Sequence, residues 1–170
     1  MSSEIVLRRE FLSNAWKWGA AFIGAAGVWT SWDLLQSTPA AGFGGLVRTV
    51  PEEAVPDSEV LAIAAARSYL TRINGEVVAL YWKCTHLGCR VPWCETSGQF
   101  ECPCHGSVFN RAGDYRAGPA PRGMDRFPVE TGDDGLVYVD TSQPLLGPPP
   151  VGGETIDEPA RGPSCLEAGT

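Results

Sequence analysis

The pattern of apolar and polar positions divides the chain into an apolar N-terminal run, a region of short alternating segments, and a polar C-terminal tail. Between Ala15 and Trp32 the only charged residue is Lys17. A helix of this length rises about 27 Å, close to the thickness of the hydrocarbon core of a bilayer. The run therefore predicts a transmembrane anchor over residues 15–36, with a cleaved signal peptide and a buried core helix as alternatives.

The charges that flank this run predict its orientation. Arg8 and Arg9 precede it and Asp33 follows it. By the positive-inside rule, residues 1–14 are expected in the cytoplasm and the rest of the chain outside. The arginine pair followed by Phe-Leu also looks like a twin-arginine export signal, a route that carries folded proteins.

Two further stretches lack any periodic pattern. Residues 37–47 are rich in glycine and are expected to form a flexible hinge, although they could be a plain spacer. Residues 143–170 are rich in proline and glycine and predict an extended tail, either disordered or wrapped around a partner subunit.

Short apolar segments separated by turn residues indicate a mainly β domain over residues 48–142. Asn74-Gly75 is a strong signal for a tight hairpin, since both residue types tolerate positive φ. Many short strands with regular turns are typical of an antiparallel sandwich or barrel. Strands are predicted at 60–66, 68–73, 77–82, 99–102, 107–109, 114–115, 126–130 and 136–139.

Charge and composition narrow the classes of function. The net charge of −7 argues against nucleic acid as a partner. The six cysteines are compatible with disulfides, a metal site, or both.

Four of the cysteines and both histidines fall in two short boxes, each placed in a loop between predicted strands. The first box is Cys84-Thr85-His86-Leu87-Gly88-Cys89, and the second is Cys102-Pro103-Cys104-His105-Gly106-Ser107. One cysteine and one histidine from each box would satisfy a structural zinc ion. Zinc leaves Cys89 and Cys104 unexplained. If the loops converge on one metal, these two cysteines lie close together and form a disulfide in an oxidising compartment.

The boxes resemble those of the Rieske iron–sulfur proteins, in which two cysteines and two histidines bind a [2Fe–2S] cluster. Together with the later Gly118-Pro119-Ala120-Pro121, they look like the three loops of the subgroup found in quinol-oxidising cytochrome bc and b-f complexes. The resemblance covers roughly residues 5–140. It implies an antiparallel β-sandwich head with a cluster-binding subdomain, joined to one N-terminal transmembrane helix.

The resemblance also implies a role for each site residue. Cys84 and Cys102 are expected to bind the inner iron, and His86 and His105 the outer, redox-active iron. Leu87 would shield the cluster, Pro119 would belong to the third covering loop, and Cys89–Cys104 would be the disulfide. In high-potential members, a serine and a tyrosine two residues later donate hydrogen bonds to the cluster. Here the serine is Ser107 but the later position is Phe109, which predicts a lower potential unless other donors compensate.

The implied function is that of an electron-transfer subunit, catalytic only within its complex. It would accept an electron and a proton from a membrane quinol, with menaquinol as a candidate, and pass the electron to a c-type cytochrome, contributing to proton translocation. A b-type cytochrome membrane subunit, a dimeric complex and a bacterial plasma membrane, with the head on its outer, positive side, are implied as well. The alternative is a relay subunit of another exported oxidoreductase, as in arsenite oxidases, which also carry Phe at the later position.

Two cysteines lie outside the boxes. Cys94 follows Trp93 between them, and Cys165 lies near the end of the chain. They could pair and pin the tail to the head, remain free thiols, or bond to another subunit.

Overall fold

The computed structural model describes residues 8–36 and 43–166. The chain separates into two compact units, Met1–Thr38 and Pro39–Thr170. The first contains the helix α1 (Arg8–Leu35). The second contains a short 3₁₀ turn (Glu52–Ala54) and the strands β1 (Leu46–Pro51), β2 (Leu61–Ile63), β3 (Ser68–Ile73), β4 (Glu76–Tyr81), β5 (Trp93–Cys94), β6 (Gln99–Glu101), β7 (Val108–Phe109), β8 (Tyr115–Ala117), β9 (Arg126–Phe127), β10 (Val129–Thr131) and β11 (Leu136–Asp140).

The N-terminal unit is helical, as the apolar run predicts. However, within the described residues no helix combines the length and the apolar character needed to cross a membrane. The transmembrane anchor predicted over residues 15–36 therefore stays a prediction. Tryptophan, alanine and glycine fill the run, and Ile23 and Val28 are its only branched aliphatic residues between positions 15 and 32. Arg8 and Arg9 begin the helix, and residues 1–7 lie outside the described part.

The strands of the second unit form three antiparallel sheets, which confirms a mainly β, antiparallel head. The sheet orders are β1-β11-β10, β2-β3-β4-β9 and β5-β6-β7-β8. The predicted hairpin joins β3 to β4, with φ of 53° at Asn74 and 87° at Gly75. Such positive φ values at both central residues match the right-handed twist of the flanking strands.

The second sheet is buried on both faces, because β3 and β4 each contribute alternate residues to two different cores. Leu70 and Ala79 pack toward the first sheet, in a core with Val137 and Val139. Their neighbours Tyr69 and Leu80 pack toward the third sheet, in a core with Phe100, Phe109 and the cysteines Cys84 and Cys102. The first core makes the β-sandwich, and the second core supports the two boxes.

Two predicted boundaries need correction, and two strands are additional. Residues 43–47 belong to the head rather than to the hinge, since Leu46 and Val47 pair with β11 and the Gly44 and Gly45 amides donate to the Thr141 hydroxyl. The remainder of that predicted hinge, 37–42, lies outside the described residues. The strand predicted at 126–130 divides into β9 and β10 at Pro128, which has no amide hydrogen to continue a ladder. The strands β1 and β5 were not predicted.

The tail folds back on its own head. Leu145 and Arg126 exchange two backbone hydrogen bonds of 2.8 and 2.9 Å, and the Gly123 amide donates to the Pro148 carbonyl at 2.8 Å. The buried Asp114 carboxylate accepts from the Thr155 amide at 2.7 Å and from its hydroxyl at 2.8 Å. The tail therefore has polar contacts of its own along the head, in contrast to the expectation of disorder, and wrapping around a partner subunit stays a prediction.

The end of the described tail is fixed by charge and by a covalent bond. Arg111, which is 6% exposed, forms a bidentate ion pair with Glu158, with N···O distances of 2.6 and 3.1 Å. Cys165 forms a disulfide with Cys94 at the edge of the third sheet. In the structure, Cys94 and Cys165 pair with each other, which was one of the three options that the sequence left open.

Candidate metal centre

The two boxes adopt the same closed backbone turn. In the first, the Cys84 amide donates to the Cys89 carbonyl at 2.7 Å, and the Gly88 amide donates to the Cys84 carbonyl at 2.9 Å. The second box repeats both bonds at equivalent positions, from Cys102 to the Ser107 carbonyl at 2.8 Å and from Gly106 to the Cys102 carbonyl at 3.0 Å. Each box is thus a six-residue loop closed by its own backbone.

A glycine in the left-handed region makes this turn possible. Gly88 has a φ of +84° and Gly106 a φ of +73°. An L side chain is strained in that region, so glycine is the suitable residue at the fifth position of each box. This shared glycine was a sequence signal for the common turn, because it recurs at the same position in both boxes.

A disulfide between Cys89 and Cys104 joins the two boxes, as predicted, with a Cα–Cα distance of 6.6 Å. The Cys102 sulfur lies within 4.8 Å of both disulfide sulfurs. The disulfide therefore lies immediately beside one of the predicted metal ligands.

The four predicted ligands are brought together with their thiols inward and their imidazoles outward. Cys84 and Cys102 are 4% and 2% exposed, and they are the free cysteines of the described chain. His86 is half-buried and His105 is exposed. The two imidazole ring centroids lie 4.9 Å apart, with the ring planes nearly perpendicular at 88°.

The chemistry of this donor set fits a metal centre. Burial raises the pKa of the Cys84 thiol, and the neighbouring Cys102 thiol raises it further because two adjacent thiolates would repel each other. A bound cation removes both penalties by holding the sulfurs as thiolates. A positive charge between the two buried sulfurs would therefore stabilise them as thiolates.

Ser107 supports the same conclusion. Its hydroxyl is buried and has no hydrogen-bond partner among the described residues, although it lies near enough to lower the pKa of Cys84. An unpaired buried hydroxyl costs free energy, so such a group is expected to have a partner in the functional protein. A cluster bound at Cys84 and Cys102 would offer sulfur acceptors at this position.

The other predicted site residues occupy different environments. Leu87 projects from the first box and is 71% exposed. Pro119 is exposed, whereas the next residue, Ala120, is buried with the two free cysteines. Phe109 is fully buried in the same core and pairs with Phe100 across β6 and β7.

The third loop approaches the second box at Gly118, which has a φ of +92°. A Cβ at this position would lie 2.6 Å from both the Gly106 carbonyl oxygen and the Ser107 Cα. This close approach was not predicted, because the contact joins residues that are distant in sequence.

We predict that Gly118→Ala displaces the third loop and weakens metal binding. The substitution combines a backbone clash with a left-handed φ, and strained positions of this kind cost about 1–3 kcal/mol. Chelator-driven loss of the cluster should be faster in Gly118→Ala than in wild type. Gly135→Ala is the control, because it has a similar φ of +73° but open space around its Cβ. Equal rates of loss in both variants would contradict the role of close approach.

Comparison with known proteins agrees with this site. Residues 47–128 match the family described as the Rieske [2Fe-2S] domain. The chain is 30% identical over 144 residues to the cytochrome b6-f complex iron-sulfur subunit of Synechococcus sp. (strain JA-3-3Ab), covering 76% of this chain and 81% of that protein. It is 50% identical over 54 residues to the cyanelle cytochrome b6-f complex iron-sulfur subunit 2 of Cyanophora paradoxa.

The last match covers 32% of this chain and 22% of the Cyanophora protein, so the chain spans about a fifth of that relative's length. Among solved structures, the plasma membrane Rieske protein PetC3 from Synechocystis PCC 6803 is 31% identical, with a TM-score of 0.37, over 42% of this chain and 74% of that one.

The donor set, the fold and the similar proteins together define a Rieske-type iron–sulfur protein. Proteins of this class transfer electrons. The chain belongs to the Rieske family and is similar to iron–sulfur subunits of cytochrome b6-f complexes. It carries one [2Fe–2S] cluster. Zinc, which the ligand types alone allowed, is therefore not its metal.

Proposed function

We propose that Cys84 and Cys102 bind the inner iron of the cluster and that His86 and His105 bind the outer iron. The observation that carries this assignment is the contrast in burial, with both thiols below 5% exposure and both imidazoles at the surface side of the site. Thiolates bound deep in the head and histidines bound near solvent suit a centre that exchanges electrons with an external substrate. When bound, the cluster supplies a one-electron acceptor.

We further propose that the protein accepts an electron and a proton from a membrane quinol. The exposed His105 imidazole is the ligand best placed to receive a hydrogen bond from a quinol hydroxyl, with His86 as the second candidate. The imidazole orients the hydroxyl and holds its proton, and the exposed Leu87 covers the approach from the first box. The electron would then go to a c-type cytochrome, which contributes to proton translocation across the membrane.

We propose a b-type cytochrome membrane subunit as a partner, in a dimeric complex. The relatives are named as iron–sulfur subunits of cytochrome b6-f complexes, which supports a cytochrome as a partner. The protein alone is not the catalyst, because quinol oxidation also requires an acceptor for the second electron. The absence of the expected second donor at Phe109 supports a low-potential quinol such as menaquinol.

The two disulfides support a location on the outer, positive side of a bacterial energy-transducing membrane. Cys89–Cys104 and Cys94–Cys165 persist in oxidising compartments and not in the reducing cytoplasm. The arginine pair at Arg8 and Arg9 would provide twin-arginine export of the folded head.

The cluster assignment is tested by spectroscopy of matched variants. Wild type should give the reduced EPR spectrum of a Rieske cluster, and Cys84→Ala and His105→Ala should abolish it. The disulfide variant Cys94→Ser/Cys165→Ser is the control and should keep it, because those cysteines lie outside the boxes. A Rieske spectrum that survives in Cys84→Ala would refute the ligand assignment.

The second candidate is a relay subunit of another exported oxidoreductase, of the arsenite-oxidase kind, and the observation that favours it is Phe109. Purification from the native membrane separates the two proposals. Co-purification of b-type haem with this chain supports the quinol-oxidising complex, and co-purification with an oxidoreductase that has no b-type haem supports the relay.

A further inference from the structure

The covering loop, residues 118–122, lies over the metal centre but has little buried surface of its own. Gly118, Pro119 and Pro121 are exposed, and Ala120 is the member that packs into the buried core. One buried alanine holds a loop weakly, because a methyl group removes little apolar surface from water. Other contacts must therefore keep the loop in place.

A tyrosine hydroxyl holds the first end of the covering loop. Tyr115 donates from its hydroxyl to the Gly118 carbonyl at 2.6 Å. The Tyr115 ring is half-buried and packs against the core that contains Cys84 and Cys102. Tyr115 is also the cross-strand partner of Phe109, so the two aromatic residues lie side by side on β7 and β8. Tyr115 on β8 therefore carries a hydroxyl that Phe109 on β7 lacks, and this hydroxyl is bonded to the covering loop.

A threonine hydroxyl holds the other end. Thr85 Oγ1 donates to the Arg122 carbonyl at 2.8 Å. Thr85 lies between Cys84 and His86, so this bond connects the end of the covering loop directly to the first box. The Arg122 side chain is in turn fixed by Asp125, through two N···O contacts of 2.9 and 3.0 Å.

We propose that Tyr115 and Thr85 are positioning residues that hold the covering loop over the metal centre from its two ends. Because Gly118 abuts the second box and Arg122 is bound to the first, a fixed loop connects both boxes independently of the disulfide. Loss of either hydroxyl frees one end and increases access of water and chelators to the cluster. This consequence rests on the proposed ligand set, whereas the holding of the loop by the hydroxyls does not.

The test compares variants that differ by one hydroxyl. Tyr115→Phe removes only the donor to Gly118, and Tyr138→Phe is its control, because Tyr138 donates to Asp134 in the first sheet. In Tyr115→Phe, amide hydrogen exchange across 117–121 should be about fivefold faster, the factor that corresponds to one ordinary hydrogen bond. Chelator-driven cluster loss should accelerate similarly, and the reduced EPR line shape should change. Tyr138→Phe should leave all three at wild-type values.

Two variants of Thr85 test the other end of the covering loop, at Arg122. Thr85→Val keeps the shape and removes the hydroxyl, whereas Thr85→Ser keeps the hydroxyl and should restore slow exchange near Arg122. Unchanged exchange across 117–122 in both Tyr115→Phe and Thr85→Val would overturn the proposal. Hydrogen exchange is measured on the protein with or without its cluster, so this result is separate from a failure of the proposed function, which would appear as a missing Rieske spectrum in wild type.

Discussion

Phe109→Tyr should raise the midpoint potential of the cluster by about 60–130 mV. Phe109 is fully buried in the same core as the proposed inner ligands Cys84 and Cys102. A tyrosine hydroxyl donating to a cluster sulfur stabilises the more negative reduced state. A hydrogen bond to a charged group contributes about 1.5–3 kcal/mol, and for one electron about 59 mV corresponds to a tenfold change in equilibrium.

Redox titration of the isolated head, followed by EPR, measures this shift. Phe100→Tyr is the control, because Phe100 is equally buried in the same core but its ring packs against Tyr69 and Trp93, with centroid distances of 5.0 and 4.9 Å. The control should leave the potential near the wild-type value. No upward shift in Phe109→Tyr would show that another donor already fills this position.

Removal of the tail disulfide should lower the free energy of unfolding by up to about 4 kcal/mol. Cys94 and Cys165 are 71 residues apart in sequence, and the bond restricts the unfolded chain by closing that long loop. The noncovalent contacts of the tail at Asp114 and Arg111 remain in the folded variant. The folded structure should therefore persist while its stability falls.

The double variant Cys94→Ser/Cys165→Ser is the appropriate one, because a single substitution leaves a free thiol that could exchange with Cys89–Cys104. Denaturant unfolding followed by tryptophan fluorescence gives the loss of stability. The reduced EPR spectrum serves as the control for the metal centre, which should be unaffected. An unchanged denaturation midpoint would mean that the noncovalent contacts alone account for the stability of the tail.

The local features of the metal centre were predictable from sequence because they are short-range. Each box is six residues long and is closed by its own backbone, so the identity of its cysteine, histidine and glycine residues determines most of the geometry. The hairpin at Asn74-Gly75 was predictable for the same reason, since the residues that form it are adjacent.

The features that were missed depend on contacts between distant parts of the chain. The strand β1 exists because Leu46 and Val47 pair with β11, more than ninety residues later. The tail follows a defined path because single groups such as the Asp114 carboxylate accept its amides, and its composition alone resembles a disordered segment.

The two six-residue boxes are copies of one backbone turn in which the histidines are offset by one position. Histidine is the third residue of the first copy, at His86, and the fourth of the second copy, at His105. This offset places one imidazole partly within the protein and the other at its surface. Two loops of nearly the same backbone shape thus present the two proposed histidine ligands unequally, one half-buried and the other exposed to solvent.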